Sequence, residues 1–555
     1  MRIMTENIRR HGYMKVCEKV LEYLKKNDIL TAFGIPSATI CPIVDAFNDF
    51  KDMEYIITKN EVSAAYSACK FAKVSGKIGL LLVSGSVGIA NAMNGIAEAM
   101  DSKLPVLIIG GYVDSNLQGL GAAQEVEGER YVSNFVKYSK VVNNESDILS
   151  ELQHAIYEAY TYPRGVVHIG IPLNVQKQEY TGEDFPEVPH SVPKTNYNSL
   201  IDAVSAINES KNGLLFIGGG CRGFGDKIKK LAERLNWRII YTPSGKGIVE
   251  DNFHLNMGYY GMPGTDLSVK YVADTDIDCI VALGTRLGEC STQCFTENLK
   301  KGKLIHVDAD ESVFNKAYNE DVQVVSHIGD ALDYFLKNVQ IRNTDNSIKE
   351  HINAPAVYKG KGLLLRNVLE KLPEYVPYNT FYISDIGSLM LFVETYLKVP
   401  KGGAFECNLN YGAMGSSTGA IGISRVYPDR PIVQFVGDGG FFMNVIGELM
   451  TYKKYNLRIV CIVVNNHNLR FVDDGHKALF GRSIPGFMDE PVDISNIASA
   501  FGVKSLRLEH NSEIPNMKKF LADIDQPLLI ELVVDDDEPI PTNRFKSLKN
   551  TMNRD

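Results

Sequence analysis

The sequence holds one tryptophan in 555 residues and nine cysteines. No two cysteines form a Cys-x-x-Cys pair. An odd, dispersed set argues against a disulfide scaffold and reads as reduced thiols, mostly small buried hydrophobes. Cys290 and Cys294 stand four apart, a weak metal signal. No apolar run reaches the ~18 residues of a membrane-spanning helix, so no membrane partner is expected. The opening stretch "MRIMTENIRRHGYMKV" lacks the apolar core of a signal peptide, and a cytoplasmic location is expected. An excess of basic residues is missing too. Lys and Arg number 58 against 67 Asp and Glu, a net charge of -9. No basic field would collect phosphates, so no nucleic-acid partner is expected.

What is present is the composition of a soluble globular protein, 45% apolar and 23% charged. The chain is too long for one core, and about three domains is the natural division. "IGLLLV", "LPVLIIGG" and "GVVHIGIP" are continuous apolar runs, as in strands buried on both faces. Helical stretches such as "GIANAMNGIAEAM" separate them, the pattern of a mostly parallel sheet. The polar, proline-containing stretch 176–198 reads as a linker, and 341–362 marks a second boundary. The second block carries "GLLFIGGG", "IDCIVALG" and "KLIHVDAD". The third carries "TFYISD", "RPIVQFVGD", "RIVCIVVNN" and "PLLIELVVD". The expected fold class is α/β, three doubly wound parallel-sheet domains over 1–180, 195–340 and 360–540.

Ligands of such sheets bind beyond the carboxyl ends of strands. "RPIVQFV" runs straight into Gly437-Asp438-Gly439-Gly440. Glycines let backbone approach a ligand closely, and N–H groups opening the next helix can face an anion. Asp438 is a hard oxygen donor suited to magnesium or calcium. One helix later, "RIVCIVV" delivers Asn465 and Asn466 to the same sheet edge. Mg²⁺ prefers a few protein oxygens plus phosphate oxygens, so the pair of strand ends can bridge a cation to a diphosphate.

Gly437-Asp438-Gly439 followed by Asn465-Asn466 resembles the signature of thiamine-diphosphate enzymes. The surrounding order is similar to the acetolactate synthase, pyruvate oxidase and benzoylformate decarboxylase branch. The resemblance makes the first domain pyrimidine-binding, the second central and the third diphosphate-binding. It implies thiamine diphosphate and Mg²⁺ as cofactors. It assigns the metal to Asp438, Asn466 and a backbone oxygen at Asn468. One departure stands out: "MNVIGELM" is a residue longer than the family's "MN-x-x-EL". Counting from Asp438 favours Asn465 as ligand. Alignment through "EL", "YNL" and the strand favours Asn466, which is preferred, with Asn465 in reserve.

"YIITKNEVSAAYSA" places Glu61 after a strand, at the start of an Ala-rich helix. A carboxylate there complements the helix dipole in any protein. The resemblance gives Glu61 the role of the glutamate that meets N1′ of the aminopyrimidine, which needs a poorly solvated carboxyl. Asn60 stands where the family usually has His. "GAAQEVEG" resembles the "AFQEVD" loop, with Gln124 facing the reactive carbon and Ala123 in place of Phe. "YGAMGSSTGAIG" resembles the turn whose bulky residue, here Met414, wedges the cofactor, with backbone of Gly412 and Met414 at the pyrimidine. "SDIGSLM" resembles the diphosphate-side loop, giving Gly387 and Ser388 a cofactor role beside Gly437, Asp438, Gly439 and Gly440. Ser37-Ala38 replaces a common Gly-Gly, and Ser86-Val87 replaces Gly-Pro in "SGPGATN".

The central domain binds FAD in some relatives, and ADP or nothing in others. "GGGCRGFG" is weak evidence for a nucleotide loop. Arg286 is a candidate contact, but FAD or ADP is not favoured. The family's cofactor supplies an electron sink for decarboxylating a 2-oxo acid. The acyl unit is then protonated, ligated to a second carbonyl or oxidised. The loop from Gly110 to Gly128 has no His-His pair, unlike pyruvate decarboxylases, and Gln124-Glu125 leans toward acetolactate synthase. The expected activity is a specialised carboligase with a pyruvate-like donor and a carbonyl acceptor. A non-ligating 2-oxo acid decarboxylase and an FAD-dependent oxidase are the alternatives. Arg470, His476 and Arg482 are candidates to meet an anionic acceptor, against a solvated face for each. The family's sites lie between subunits, so a homo-oligomer, dimer or tetramer, is expected.

Overall fold

The computed structural model describes residues 14–262, 264–342, 362–408, 411–534 and 538–541. Three parallel sheets of six strands each succeed one another along the chain, with helices packed on them. The first holds β1 (Thr31–Gly34), β2 (Glu54–Ile57), β3 (Gly79–Ser84), β4 (Val106–Tyr112), β5 (Tyr138–Val141) and β6 (Val166–Pro172). Their spatial order is β2-β1-β3-β4-β6-β5.

The second sheet holds β7 (Gly213–Ile217), β8 (Arg238–Tyr241), β9 (Asn256–Tyr259), β10 (Cys279–Leu283), β11 (Lys303–Asp308) and β12 (Val322–Val325). Its order, β12-β11-β10-β7-β8-β9, is the dinucleotide-fold arrangement, with a switch point between β7 and β10. The third holds β13 (Phe381–Ser384), β14 (Ala404–Cys407), β15 (Ile432–Gly437), β16 (Ile459–Asn465), β17 (Lys504–Leu508) and β18 (Leu528–Val533). Its order, β14-β13-β15-β16-β18-β17, repeats that of the first sheet.

The continuous apolar runs are the central strands: β3, β4, β6, β7, β10 and β16 are buried at every position. The strands without such runs lie at or near sheet edges. β5 is only half-buried throughout, so its "YSKV" carries no strong pattern. The stretch 176–198 is docked rather than free: Tyr180 and Val188 join the buried core of the first domain. Most of 341–362 lies outside the described residues.

The first and third domains share one core. Ala64, Ala65 and Ala68 of the helix Glu61–Ser75 are buried with Ala420, Ile421 and Ile423 of the helix Ala420–Val426. The approach is close enough that a Cβ on Gly422 would stand 1.9 Å from the Ser67 carbonyl oxygen. A buried ion cluster ties in the central domain. Glu406, fully buried on β14, meets Lys70 at 3.4 Å, Lys73 at 2.6 Å and Arg222 at 2.7 Å. Burial opposes its charge, but Lys70, Lys73 and Arg222 hold it well below the usual carboxylate range.

Candidate active site

A cavity of about 320 Å³ opens at the carboxyl edge of the third sheet. The residues just beyond β13, β14, β15 and β16 converge on it. Gly387, Ser388, Gly412, Met414, Gly437, Asp438, Gly439, Gly440, Asn466 and Asn468 all line it. It straddles β13 and β15, the switch point of the sheet, where a doubly wound fold leaves its crevice. Gly387 and Gly437 face it as bare backbone: a Cβ on either would meet no protein atom within 4 Å. Gly387 also has φ +99°, which disfavours a side chain there.

Asp438 ties two strand ends together. Its Oδ1 accepts the Gly439 N–H at 2.8 Å. Its Oδ2 accepts the N–H groups of Asn466 at 3.0 Å and His467 at 2.6 Å. Burial pushes its pKa above the ordinary carboxylate value, with those three N–H bonds acting the other way. Asn468 is buried; its Nδ2 donates to Asp473 at 3.0 Å, while its Oδ1 meets no donor among the described residues. Asp438, Asn466 and Asn468 thus line one space, and a carboxylate with two carboxamides is a donor set that fits Mg²⁺ or Ca²⁺. A buried carboxamide oxygen without a donor is costly unless something positive meets it.

Asn465 goes elsewhere. Its Nδ2 donates to Glu531 at 2.7 Å and to the Val492 carbonyl at 3.3 Å, and it does not line the cavity. Asn465 is the last residue of β16 and Asn466 the first beyond it, and only Asn466 lines the cavity. The extra residue of "MNVIGELM" has a physical place. Between Asp438–Gly440 and Ile446–Lys454 the helix makes a π-turn at Phe441–Val445. Such a turn absorbs one residue without shifting the flanking helix. The family's count along the chain from Asp438 therefore stops one residue short, at Asn465.

Glu61 opens the helix Glu61–Ser75, as its position after β2 suggested. It is half-buried in the single chain, and its Oε2 accepts Asn91 Nδ2 at 3.1 Å. It does not reach the cavity. It lines a separate pocket with Asn60, Asn91 and Asn444. Gln124 does not reach the cavity either. It sits on an exposed loop with φ 65°, held by Glu125, which accepts the N–H groups of Gly121 and Ala122 at 2.9 Å each.

Several participants carry no recognisable sequence signal of their own. Asp385, directly after β13, is buried on the cavity wall. It accepts the N–H groups of Gly415 at 2.6 Å and Ser416 at 3.0 Å, and so fixes the turn that carries Met414. Burial pushes its pKa up to about 6. The strand-end rule alone could have flagged it. Arg470 also lines the cavity and is buried rather than solvated. His476 and Arg482 are not on the cavity wall; His476 Nδ1 instead meets the Arg482 carbonyl at 2.6 Å.

A second cavity, about 440 Å³, lies where the β7/β10 switch point of the central domain faces the first domain. Arg222 and Arg286 lie on its wall, already paired with Glu406 and, at 2.8 Å, Asp101. Cys290 lines both cavities. Among the described residues no group of three or more His, Cys, Asp or Glu gathers as a metal cluster, so Cys290 and Cys294 do not seed one.

Three family models match the chain in order. They are the thiamine pyrophosphate enzyme N-terminal TPP binding domain at 14–131, central domain at 200–335 and C-terminal TPP binding domain at 385–532. Curated relatives match end to end at low identity. A probable acetolactate synthase large subunit of Methanococcus aeolicus is 27% identical, covering 94% of this chain and 92% of its own length. The acetolactate synthase large subunit of Lactococcus lactis subsp. lactis is 26% identical with the same coverage. Acetolactate synthase isozyme 3 large subunit of Escherichia coli is 24% identical over 90% of each. The three domains, matched in this order, show that the chain belongs to the thiamine pyrophosphate enzyme family.

Proposed function

We propose that the chain is a thiamine-diphosphate- and Mg²⁺-dependent carboligase. It decarboxylates a pyruvate-like 2-oxo acid and transfers the acyl unit to a second carbonyl. The observation that carries the cofactor site is the convergence of Asp438, Asn466 and Asn468 on one cavity floored by bare glycine backbone. Asp438 and Asn466 hold the metal with an oxygen of Asn468. Gly387, Ser388, Gly437, Gly439 and Gly440 flank the diphosphate. Gly412 and Met414 shape the pyrimidine side, on a turn held by Asp385. When bound, thiamine diphosphate supplies the electron sink for loss of carbon dioxide.

Glu61 is the proton-sharing carboxyl, and Gln124, outside the cavity of its own chain, would be brought toward the reacting carbon of a second copy. In one chain Glu61 lies outside the cavity, which supports a site completed by the Glu61 of a second copy in a homo-oligomer. Entry of that copy would also complete the desolvation of Glu61, only half-buried here. A cytoplasmic location fits the reading; among the described residues no helix is long and apolar enough to cross a membrane.

Carboligation is supported by relatives named acetolactate synthase. Specialisation is supported by their low identity and by Ser37, Asn60 and Ala123 at positions where the family differs. Ala123 leaves room for a larger acceptor. Arg470 is the one cationic side chain on the cavity wall among the described residues. A screen of donor and acceptor carbonyls with product mass analysis tests the proposal. A ligated product from pyruvate and a second, larger acceptor is expected. Efficient acetolactate formation from pyruvate alone removes specialisation, and aldehyde as sole product removes ligation. A second reading, an FAD-dependent oxidase, draws on the β7/β10 cavity; colourless, flavin-free protein argues against it.

A further inference from the structure

Glu448 is fully buried, and it does not line the proposed cofactor cavity. It projects from the helix Ile446–Lys454 of the third domain into the first domain. Its Oε1 accepts two backbone N–H groups there, Lys59 at 2.8 Å and Asn60 at 3.1 Å. These are the two residues immediately before Glu61. Asn60 caps the helix, its Oδ1 accepting the Val62 N–H at 3.1 Å. Its Nδ2 donates to Asn444 Oδ1 at 3.4 Å. Asn444 Nδ2 in turn donates to the Met414 carbonyl at 2.9 Å. The peptide carrying Glu61 is therefore gripped from the third domain at two points, Glu448 and Asn444.

The grip includes the π-turn. Asn444 lies within Phe441–Val445, and Glu448 comes three residues beyond it, in the first turn of the helix Ile446–Lys454. Because such a turn takes up one residue, Glu448 keeps the register of the flanking helix and faces Lys59. A buried carboxyl is costly, and no ion pair to this one is found among the described residues. Burial pushes its pKa up, while the hydroxyls of Thr451 and Ser63 and the two backbone N–H groups act the other way. Packing alone would be served by an apolar residue; two convergent N–H bonds account for a carboxyl.

We propose that Glu448 is a positioning residue. With Asn444 it fixes the backbone before Glu61, and so sets where the Glu61 carboxylate stands toward the pyrimidine. The proposal rests on the role given to Glu61 under the proposed function. It applies to this chain's own π-turn and to Asn60, which departs from the family's histidine.

The test measures exchange of the C2 proton of bound thiamine diphosphate, together with cofactor affinity by calorimetry and the melting temperature. Glu448→Ala should slow exchange by about 10- to 100-fold, as a misplacement of about 1 Å does. Cofactor affinity should stay within about threefold, because the metal and diphosphate residues are untouched. Glu448→Gln keeps an acceptor at Oε1 and should restore exchange to within about threefold of wild type. Asn444→Ala severs the second contact and should slow exchange about 3- to 10-fold. It keeps the proposal testable if Glu448→Ala does not fold. Wild-type exchange in either alanine variant, or Glu448→Gln as slow as Glu448→Ala, would overturn the proposal. Glu61→Gln is the control: wild-type exchange in that variant removes the role of Glu61 itself, whatever Glu448 does.

Discussion

The first and third domains are built on the same strand order, and they carry different chemistry at the same sheet edge. In the third, the ends of β13, β14, β15 and β16 lead into turns that leave a cavity. In the first, the end of β2 leads instead into a capped helix with Glu61 at its first position. One edge is hollow and holds hard oxygens; the other presents a single carboxylate. The sheets are alike, and the residues beyond the strand ends make the difference. Glycine and asparagine after a strand leave space and ligands, whereas a capped helix fills the space and displays its first residue.

The largest expected effect separates these two edges. Asp438→Ala should lower turnover by at least about 100-fold and weaken Mg²⁺-dependent cofactor binding in calorimetry, because the charged metal ligand is gone. Glu61→Gln should lower turnover by about 10²- to 10⁴-fold with cofactor binding nearly intact, because only the proton step is lost. Equal loss of binding in both variants would erase the contrast. The next effect concerns what holds the domains together. Glu406→Gln leaves fully buried Lys70 without its charged partner and should cost about 3–5 kcal/mol in denaturant unfolding. Turnover at low temperature should change less than stability.

Within the third domain, Asn465 and Asn466 can be told apart. Asn465→Ala breaks its bond to buried Glu531 and should cost about 1–3 kcal/mol of stability with little change in metal affinity. Asn466→Ala should do the reverse, raising the Mg²⁺ requirement in a titration.

The most gradual effect is a pH dependence of the first domain. His168 is buried between Tyr112 Oη at 3.1 Å and Ser139 Oγ at 2.9 Å. Burial lowers its pKa from 6.5 to about 3. Between those values the unfolded chain binds a proton that the folded chain refuses. Stability should therefore fall as pH drops through this window, by about 1.4 kcal/mol per unit. Denaturant unfolding at a series of pH values should show the slope, and His168→Leu should flatten it.

Much of this is legible in the sequence because strands buried on both faces are written as unbroken apolar runs. The residues after them, Asp438, Asn466, Gly387 and Gly412, can be read from the strand-end rule and from resemblance. The choice between Asn465 and Asn466 is not legible by counting. The π-turn at Phe441–Val445 has no sequence pattern of its own; it is visible only as a mismatch of one residue. The strand-end rule reaches Asp385, but its bond to Gly415, like that of Glu448 to Lys59, joins residues distant along the chain and leaves no sequence signal. Edge strands such as β5 escape a sequence reading because half-buried residues leave no run. Gln124, placed by resemblance near the reacting carbon, lies on an exposed loop of the single chain.

The claim that joins the two edges is that Glu61 of one copy serves Asp438 of another. Mixing Glu61→Gln and Asp438→Ala chains under conditions that exchange subunits tests it directly. Each hybrid dimer then holds one site with both residues intact. Random exchange should restore about one quarter of wild-type turnover from two inactive parents. No recovery, with hybrid formation confirmed by mass measurement of the intact assembly, would contradict a site shared between copies.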